Sequence, residues 1–230
     1  IGQRVIVPFG RRNLVGMVVA LPDTPAVEPE QLREAIAVLD DLPPMPPAWL
    51  ALMEFASRYY QRPLGEVMMP ALPPPLRKVS AYTGKLAAGG PVKRLERRLA
   101  KRRAEPESPK ISGAIEAPAL NAEQREAVER IAAVQGHGVV LVRGVTGSGK
   151  TEVYLHAAQQ VLERGQQVLF LVPEINLTPQ PEQALRRRFP RGDNEHDTLA
   201  VLHSGLSDGE RLQAWLAAFN GQASMLLGTR

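Results

Sequence analysis

Val139-Val140-Leu141-Val142-Arg143-Gly144-Val145-Thr146-Gly147-Ser148-Gly149-Lys150-Thr151 decides the reading of this 230-residue chain. The stretch opens as a short apolar run rich in β-branched residues, the pattern of a buried parallel strand. It continues as Gly144-x-x-x-x-Gly149-Lys150-Thr151, the spacing of a phosphate-binding loop. Glu152 to Arg164 is helical in composition, and Gly165 is placed to stop that helix. Strand, glycine loop and helix form the context such a loop requires. Gly144, Gly147 and Gly149 permit positive φ and close approach of the backbone to a ligand. Backbone N–H groups from Val145 to Gly149 and the positive end of the helix then face the phosphates. In that pattern Lys150 reaches the β- and γ-phosphates of a nucleotide, and the Thr151 hydroxyl ligates Mg²⁺.

Downstream the alternation continues. Gln167–Val172, Leu199–Leu202 and Ala223–Leu227 read as strands. Thr178–Phe189 and the stretch from Ser207 to Phe219 read as helices, the second opened by the capping box Ser207-x-x-Glu210. Upstream, Asn121 is a good N-cap for a helix over 122–134. Strands and helices in alternation predict an α/β fold with a parallel sheet covered by helices on both faces.

The first third differs. Arg4–Gly10 and Leu14–Leu21 read as a hairpin, with Pro8 confining its strand to an edge or to the strand's end. The stretch Leu32–Leu39 is too short to type. Pro47 suits the first turn of a helix carrying Trp49, Leu50, Met53, Ala56 and Tyr60 at helical spacing. The aromatics Trp49, Phe55, Tyr59 and Tyr60 read as core rather than as base-stacking groups. Domains are therefore expected at 1–75, β-rich, and at 119–230, with a basic linker over 76–118. Within that linker Lys93–Arg103 reads as one basic helix with Leu95 and Leu99 on one face.

Composition narrows the function classes. Cysteine is absent, which excludes disulfides and cysteine-based metal sites here and fits the cytoplasm. No apolar run approaches the roughly 18 residues of a membrane span, so no membrane partner is expected. Net charge is +4, unevenly spread: eleven basic and three acidic residues lie between Arg77 and Lys110, a net +8, leaving −4 elsewhere. That segment suits either a polyanion or plain solvation.

Several blocks together resemble the first motor lobe of superfamily-two helicases, most closely the bacterial replication-restart helicases. They are Leu120-Asn121-x-x-Gln124, Gly144–Tyr154, Leu171-Val172-Pro173-Glu174-Ile175-x-Leu177-Thr178-Pro179-Gln180, Leu202–Ser207 with Asp208, Glu210 and Arg211, and Gly228-Thr229-Arg230. In the first third, Arg4-Val5-x-Val7-Pro8-Phe9-Gly10 and Gly16-x-Val18-Val19 look like the family's amino-terminal domain, which binds the 3′ end of a nascent strand. The resemblance implies an ATP-dependent 3′-to-5′ DNA helicase that recognises stalled or abandoned forks and initiates primosome assembly for replication restart. It implies that Gln124 reads adenine and that Gly144, Val145, Thr146, Gly147, Ser148, Gly149, Lys150 and Thr151 bind nucleotide. Pro173, Glu174, Thr178, Gln180, His203, Ser204, Gly205, Thr229 and Arg230 would face single-stranded DNA. Gly10 and Arg33 look like part of the 3′-end pocket. Forked DNA with a nascent 3′ end, single-strand binding protein and primosome proteins are the implied partners.

Departures are equally specific. The family's acidic Walker B block, second motor lobe, arginine finger and zinc region would lie beyond Arg230, so zinc is expected of the family but has no ligands in this chain. A strand completing the 3′-end pocket would precede Ile1. Residues 76–118 are too few for the family's winged-helix domain, and Asn176 and Pro181 replace more usual residues. The fragment alone is expected to turn over ATP poorly. Two other readings stay open: a different superfamily-two translocase, which predicts no 3′-end preference, and a non-enzymatic fork-binding scaffold with a decayed motor. A small-molecule kinase is disfavoured by the Pro173-Glu174 and Thr229-Arg230 blocks.

Overall fold

A computed structural model describes residues 1–24, 27–84, 89–103, 118–173, 179–189 and 198–229. Internal contacts divide the chain into two compact units: Ile1–Ser108 with Ser207–Leu212, and Pro109–Leu206 with Gln213–Arg230.

The first unit is built on a three-stranded antiparallel sheet of order β2-β1-β3, with β1 Arg4–Phe9, β2 Arg12–Met17 and β3 Ala37–Leu39. The expected hairpin is present. Phe9 pairs with Arg12 across a two-residue turn in which Gly10 has φ 59°. A glycine in the first turn position is what a tight hairpin of this length calls for. Although β1 is central, β3 pairs only with Arg4, Val5 and Ile6. Pro8 therefore lies past that ladder and is spared the lost N–H donor, as its end-of-strand placement predicts.

Ile6, Val15 and Leu39 form the buried centre of the sheet's inner face, with Ala37, Met69, Val79 and Tyr82 packed on it. Helices α1 Pro47–Tyr59, α2 Leu64–Met68 and α3 Pro74–Arg77 follow, then α4 Gly90–Arg103. Pro47 opens α1, as expected. Leu72 and Leu76 are almost fully buried, so the proline-rich segment 70–75 is packed rather than solvated.

Arg4 shares the inner face with Ile6 and is 2% exposed. Its guanidinium donates to Asp41 Oδ1 at 2.5 Å, to the Tyr82 hydroxyl at 2.6 Å and to the Leu76 carbonyl at 3.0 Å. The Tyr82 hydroxyl donates in turn to Asp41 Oδ2 at 3.3 Å. A charge this deep persists only when paired and hydrogen-bonded, and here it is both. Burial pushes the Tyr82 hydroxyl up to about 12, against the opposing pull of the Arg4 charge.

The second unit carries a parallel sheet of order β4-β6-β5: β4 Val168–Val172, β5 Leu199–Leu202 and β6 Met225–Thr229. Its helices are α5 Ala122–Ala132, α6 Lys150–Glu163, α7 Pro179–Arg188 and α8, which spans Asp208–Phe219 across the division between units. Leu155, Leu185, Leu199, Met225 and Leu227 form its core, with Val168, Phe170 and Val172 of β4 packed against it. The mixed α/β fold with a parallel sheet is therefore present.

Two expectations fail here. Residues 139–142 are not a strand: no strand pairs with them among the described residues, and Val139 and Leu141 are 89% and 80% exposed. An apolar run becomes a parallel strand only where a neighbour accepts its ladder. Nor are both faces of the sheet covered throughout, because Leu169 and Leu171, opposite the core face of β4, are 62% and 61% exposed.

Candidate nucleotide and DNA sites

The glycine loop leads directly into α6. Gly147 and Gly149 adopt φ 82° and 78°, and Gly149 is the left-handed N-cap of the helix. No side chain caps this end. The first N–H groups of a 14-residue helix thus have no side-chain acceptor, and they carry the positive pole of its dipole. A Cβ at Gly147 would meet nothing within 4 Å, so the loop's outer side is open. Val145, Thr146 and Ser148 are exposed, as is Thr151 in the first helical turn. Lys150 folds back, donating to the carbonyls of Gly144 at 2.7 Å and Val145 at 2.8 Å. An ammonium held at the loop's own rim, beside uncapped helix N–H groups, fits a polyphosphate.

Gln124 is brought to this loop from α5. Its Nε2 lies 3.4 Å from the Ser148 carbonyl and 3.5 Å from that of Gly149, at the outer limit of a hydrogen bond. Glycine at position 149 is called for by its φ of 78°, and a Cβ there would fall 2.3 Å from that nitrogen and push the Gln124 amide away. The other end of the amide is engaged: Gln124 Oε1 accepts from Asn121 N at 2.9 Å, while Asn121 Oδ1 accepts from Gln124 N at 2.8 Å. Asn121 and Gln124 form a complete capping box, so the spacing quoted in the sequence has a structural reason of its own.

The parallel register brings three other blocks to one end of the sheet. Val172 lies beside Thr229, and Leu202 beside Gly228. Pro173, His203 and Thr229 therefore all stand at carboxyl ends of strands, where open α/β sheets hold ligands. His203 Nδ1 accepts from Gly205 N at 3.1 Å, which closes the turn through Ser204. Gln180 lies in the first turn of α7. Glu174, Thr178 and Arg230 lie outside the described residues. In the first unit Gly10 is at the hairpin turn, with open space where a Cβ would be, and Arg33 is an exposed loop residue.

Three of the four aromatics in and after α1 are not core, while Trp49 is half-buried. Phe55, Tyr59 and Tyr60 are 60%, 68% and 68% exposed. Phe55 and Tyr59 stack at 5.6 Å, and Tyr60 meets Tyr59 edge-on at 5.0 Å. With Ala51, Glu54 and Arg58 the first two line a shallow groove of about 410 Å³. At about 100° per residue, Phe55 and Tyr59 lie on the side of α1 opposite buried Met53. That arithmetic was the available signal, and grouping all the aromatics together hid it.

Comparison with known proteins adds two family matches. Residues 1–73 match a 3′ DNA-binding domain, and residues 118–227 match the res subunit of type III restriction enzymes. The replication restart protein PriA of Haemophilus influenzae is 32% identical over an alignment covering all of this chain and 38% of that protein. The PriA of Treponema pallidum is 34% identical over 94% of this chain and 29% of its own length. That of Synechocystis is 45% identical over 51% of this chain. The chain thus spans about a third of the length of the first two relatives.

Proposed function

This chain belongs to the PriA family and corresponds to an amino-terminal portion of its relatives, and we propose that it is the fork-sensing and nucleotide-binding part of an ATP-dependent 3′-to-5′ DNA helicase. The whole protein would recognise stalled or abandoned replication forks and initiate primosome assembly for replication restart in the cytoplasm. One observation carries the reading: a 3′ DNA-binding domain match and an uncapped glycine loop at a helix start occur in the same chain. In this reading residues 1–75 bind the 3′ end, 76–118 are a basic connector, and 119–230 are an incomplete first motor lobe.

The roles follow from the chemistry of the side chains. Gly144 to Gly149 cradle phosphate with backbone N–H groups, and Lys150 swings from its own loop carbonyls to the phosphates. Thr151 offers its hydroxyl to Mg²⁺, which when bound neutralises charge on the phosphate oxygens. Gln124 reads the base. Pro173, Glu174, Thr178, Gln180, His203, Ser204, Gly205, Thr229 and Arg230 face single-stranded DNA, and Gly10 and Arg33 the nascent 3′ end. Single-strand binding protein and primosome proteins are the protein partners that the family implies.

Fluorescence anisotropy with two forks tests this, one ending in a free 3′-hydroxyl at the branch and its twin in a 3′-phosphate. Clear preference for the hydroxyl is expected. Equal binding by a chain restored with its family's upstream strand would leave a generic translocase lobe instead.

A further inference from the structure

Helix α6 carries an acid beside the proposed phosphate site. Lys150 is the first residue of the helix, so Glu152 is the third, in the turn whose N–H groups face that site. A glutamate at this position commonly reaches back and accepts from the N–H of the residue that caps the helix. There it would occupy the place of a phosphate. Glu152 does not reach back. No side chain caps this end, and Glu152 Oε1 instead lies 3.2 Å from His156 Nε2, one turn farther along.

The two side chains are 19% and 24% exposed, and the facing atoms are themselves buried. Neither atom has an aligned hydrogen bond among the described residues. Without a proton on Nε2, two acceptors would face each other out of water. A neutral ring with its proton on Nε2 would offer only a misaligned hydrogen bond, and such bonds weaken steeply with angle. A charged ring needs no alignment, because Coulomb attraction depends on distance. The geometry fits an imidazolium beside a carboxylate.

At about 100° per residue, Glu152, His156, Gln159 and Glu163 fall within about 60° of one another, a polar stripe along α6. Gln159 donates to Glu163 Oε1 at 3.0 Å and accepts from Arg188 of α7 at 2.9 Å. Arg188 and Glu163, opposite in sign, are the other charged groups described on this side. Helix α5 turns Gln124, Ala127, Val128 and Ile131 toward the interior, and β4 is apolar throughout. Neither element brings a titratable group to the pair.

We infer that His156 is a positioning residue of the nucleotide site: as an imidazolium it draws the Glu152 carboxylate along α6, away from the helix end, and keeps the N–H groups there free for phosphate. The inference rests on the proposed reading of Gly144–Thr151 as a nucleotide site and adds a group that governs that site from inside the helix. The sign follows from the charge. At low pH the ring is charged and the helix end is open. As pH rises and the ring becomes neutral, Glu152 is released toward the positive helix end, and nucleotide binding weakens.

Isothermal titration of the 230-residue chain with Mg·ADP, between about pH 5.5 and 8, tests this. The arms are wild type, H156A, H156K and E152Q/H156A, with H156Q in place of H156A if the alanine variant loses its thermal transition. At the acid end H156A should bind about threefold more weakly than wild type. H156K keeps a cation one turn after the glutamate, so it should match wild type at the acid end. At the alkaline end wild type should fall about threefold below it. E152Q/H156A removes the competing carboxylate and should recover the affinity that H156A loses, a rescue that a merely structural histidine would not give. The other histidines and the nucleotide's own phosphates titrate in every arm, so each curve is read as a ratio to H156K. A wild-type ratio that stays flat with pH, or a double variant as weak as H156A, would overturn the inference and leave the nucleotide site standing. No binding of Mg·ADP by wild type at any pH would overturn the site reading and the inference with it.

Discussion

Two apolar runs with the same local chemistry have opposite fates. Val5-Ile6-Val7 in β1 is flanked by strands on both sides, and Ile6 is 4% exposed. Val139-Val140-Leu141-Val142 is as rich in β-branched residues, yet it pairs with nothing described and lies largely open. Intrinsic preference is the same in both. What differs is a neighbour to accept the backbone hydrogen bonds, and a packed face to reward burial. The first run also has Arg4 beside it, whose guanidinium links the sheet to Asp41, Leu76 and Tyr82.

The largest predicted effect breaks the first run's support. Asp41→Ala strands the Arg4 charge and should cost about 3–5 kcal/mol in urea unfolding. Replacing both partners, as Arg4→Met with Asp41→Leu, should recover most of that loss. No recovery would mean the cluster acts through geometry that apolar groups cannot mimic.

Next comes the contrast itself. Leu227→Ala, at a 1% exposed position in β6, should cost about 2–5 kcal/mol. Leu141→Ala, in the unpaired run, should stay within about 0.5 kcal/mol. Similar costs for the two would show that residues 139–142 pack as a paired strand does, and the comparison would collapse.

Lys150→Ala should reduce nucleotide affinity about tenfold or more, near 1.4 kcal/mol, while leaving fork affinity almost unchanged. Isothermal titration with nucleotide beside anisotropy with the fork reads both. Equal loss in both would contradict two separate sites.

Gln124 sharpens the division of labour within the loop. Gln124→Ala should cost about 0.5–1 kcal/mol through the lost capping box. Gln124→Glu keeps the N3 acceptor that the cap needs but removes the amide donor facing Ser148 and Gly149. It should leave the thermal midpoint nearly unchanged and still weaken nucleotide binding. A glutamate variant that binds nucleotide normally would reduce Gln124 to a capping residue.

The smallest effect concerns Tyr82. Its folded pKa, about 12, stands above the ordinary value of 10. Its contribution is therefore fully present below pH 10 and lost as pH rises through 12. Tyr82→Phe should flatten that part of an alkaline denaturation curve. An unchanged slope would place the alkaline loss on other groups.

Much of the molecule was legible in local patterns, and the exceptions share a cause. The hairpin turn at Gly10, the Asn121 and Ser207 capping boxes, the stop at Gly165 and the strands at 168–172 and 199–202 depend on residues close in sequence. The exposure of Phe55 and Tyr59 and the burial of Leu76 depend on which face a distant element covers. So does the role of Arg4, an ordinary charged residue in the sequence and the most buried polar side chain described in the fold.

By itself, the sequence determined the α/β class, the glycine loop of Gly144–Gly149 ahead of a helix, the family and the existence of a basic helix near Lys93–Arg103. Each follows from residue type and spacing within a turn, a strand or a helix. Only the tertiary structure decided that residues 139–142 stay unpaired, that Gln124 is shared between a cap and the glycine loop, and that α4 buries Val92 and Leu95 and is tied by Arg94 to the Ala81 carbonyl. Those are long-range outcomes, because backbone pairing, desolvation and charge compensation all require partners that the local sequence does not name.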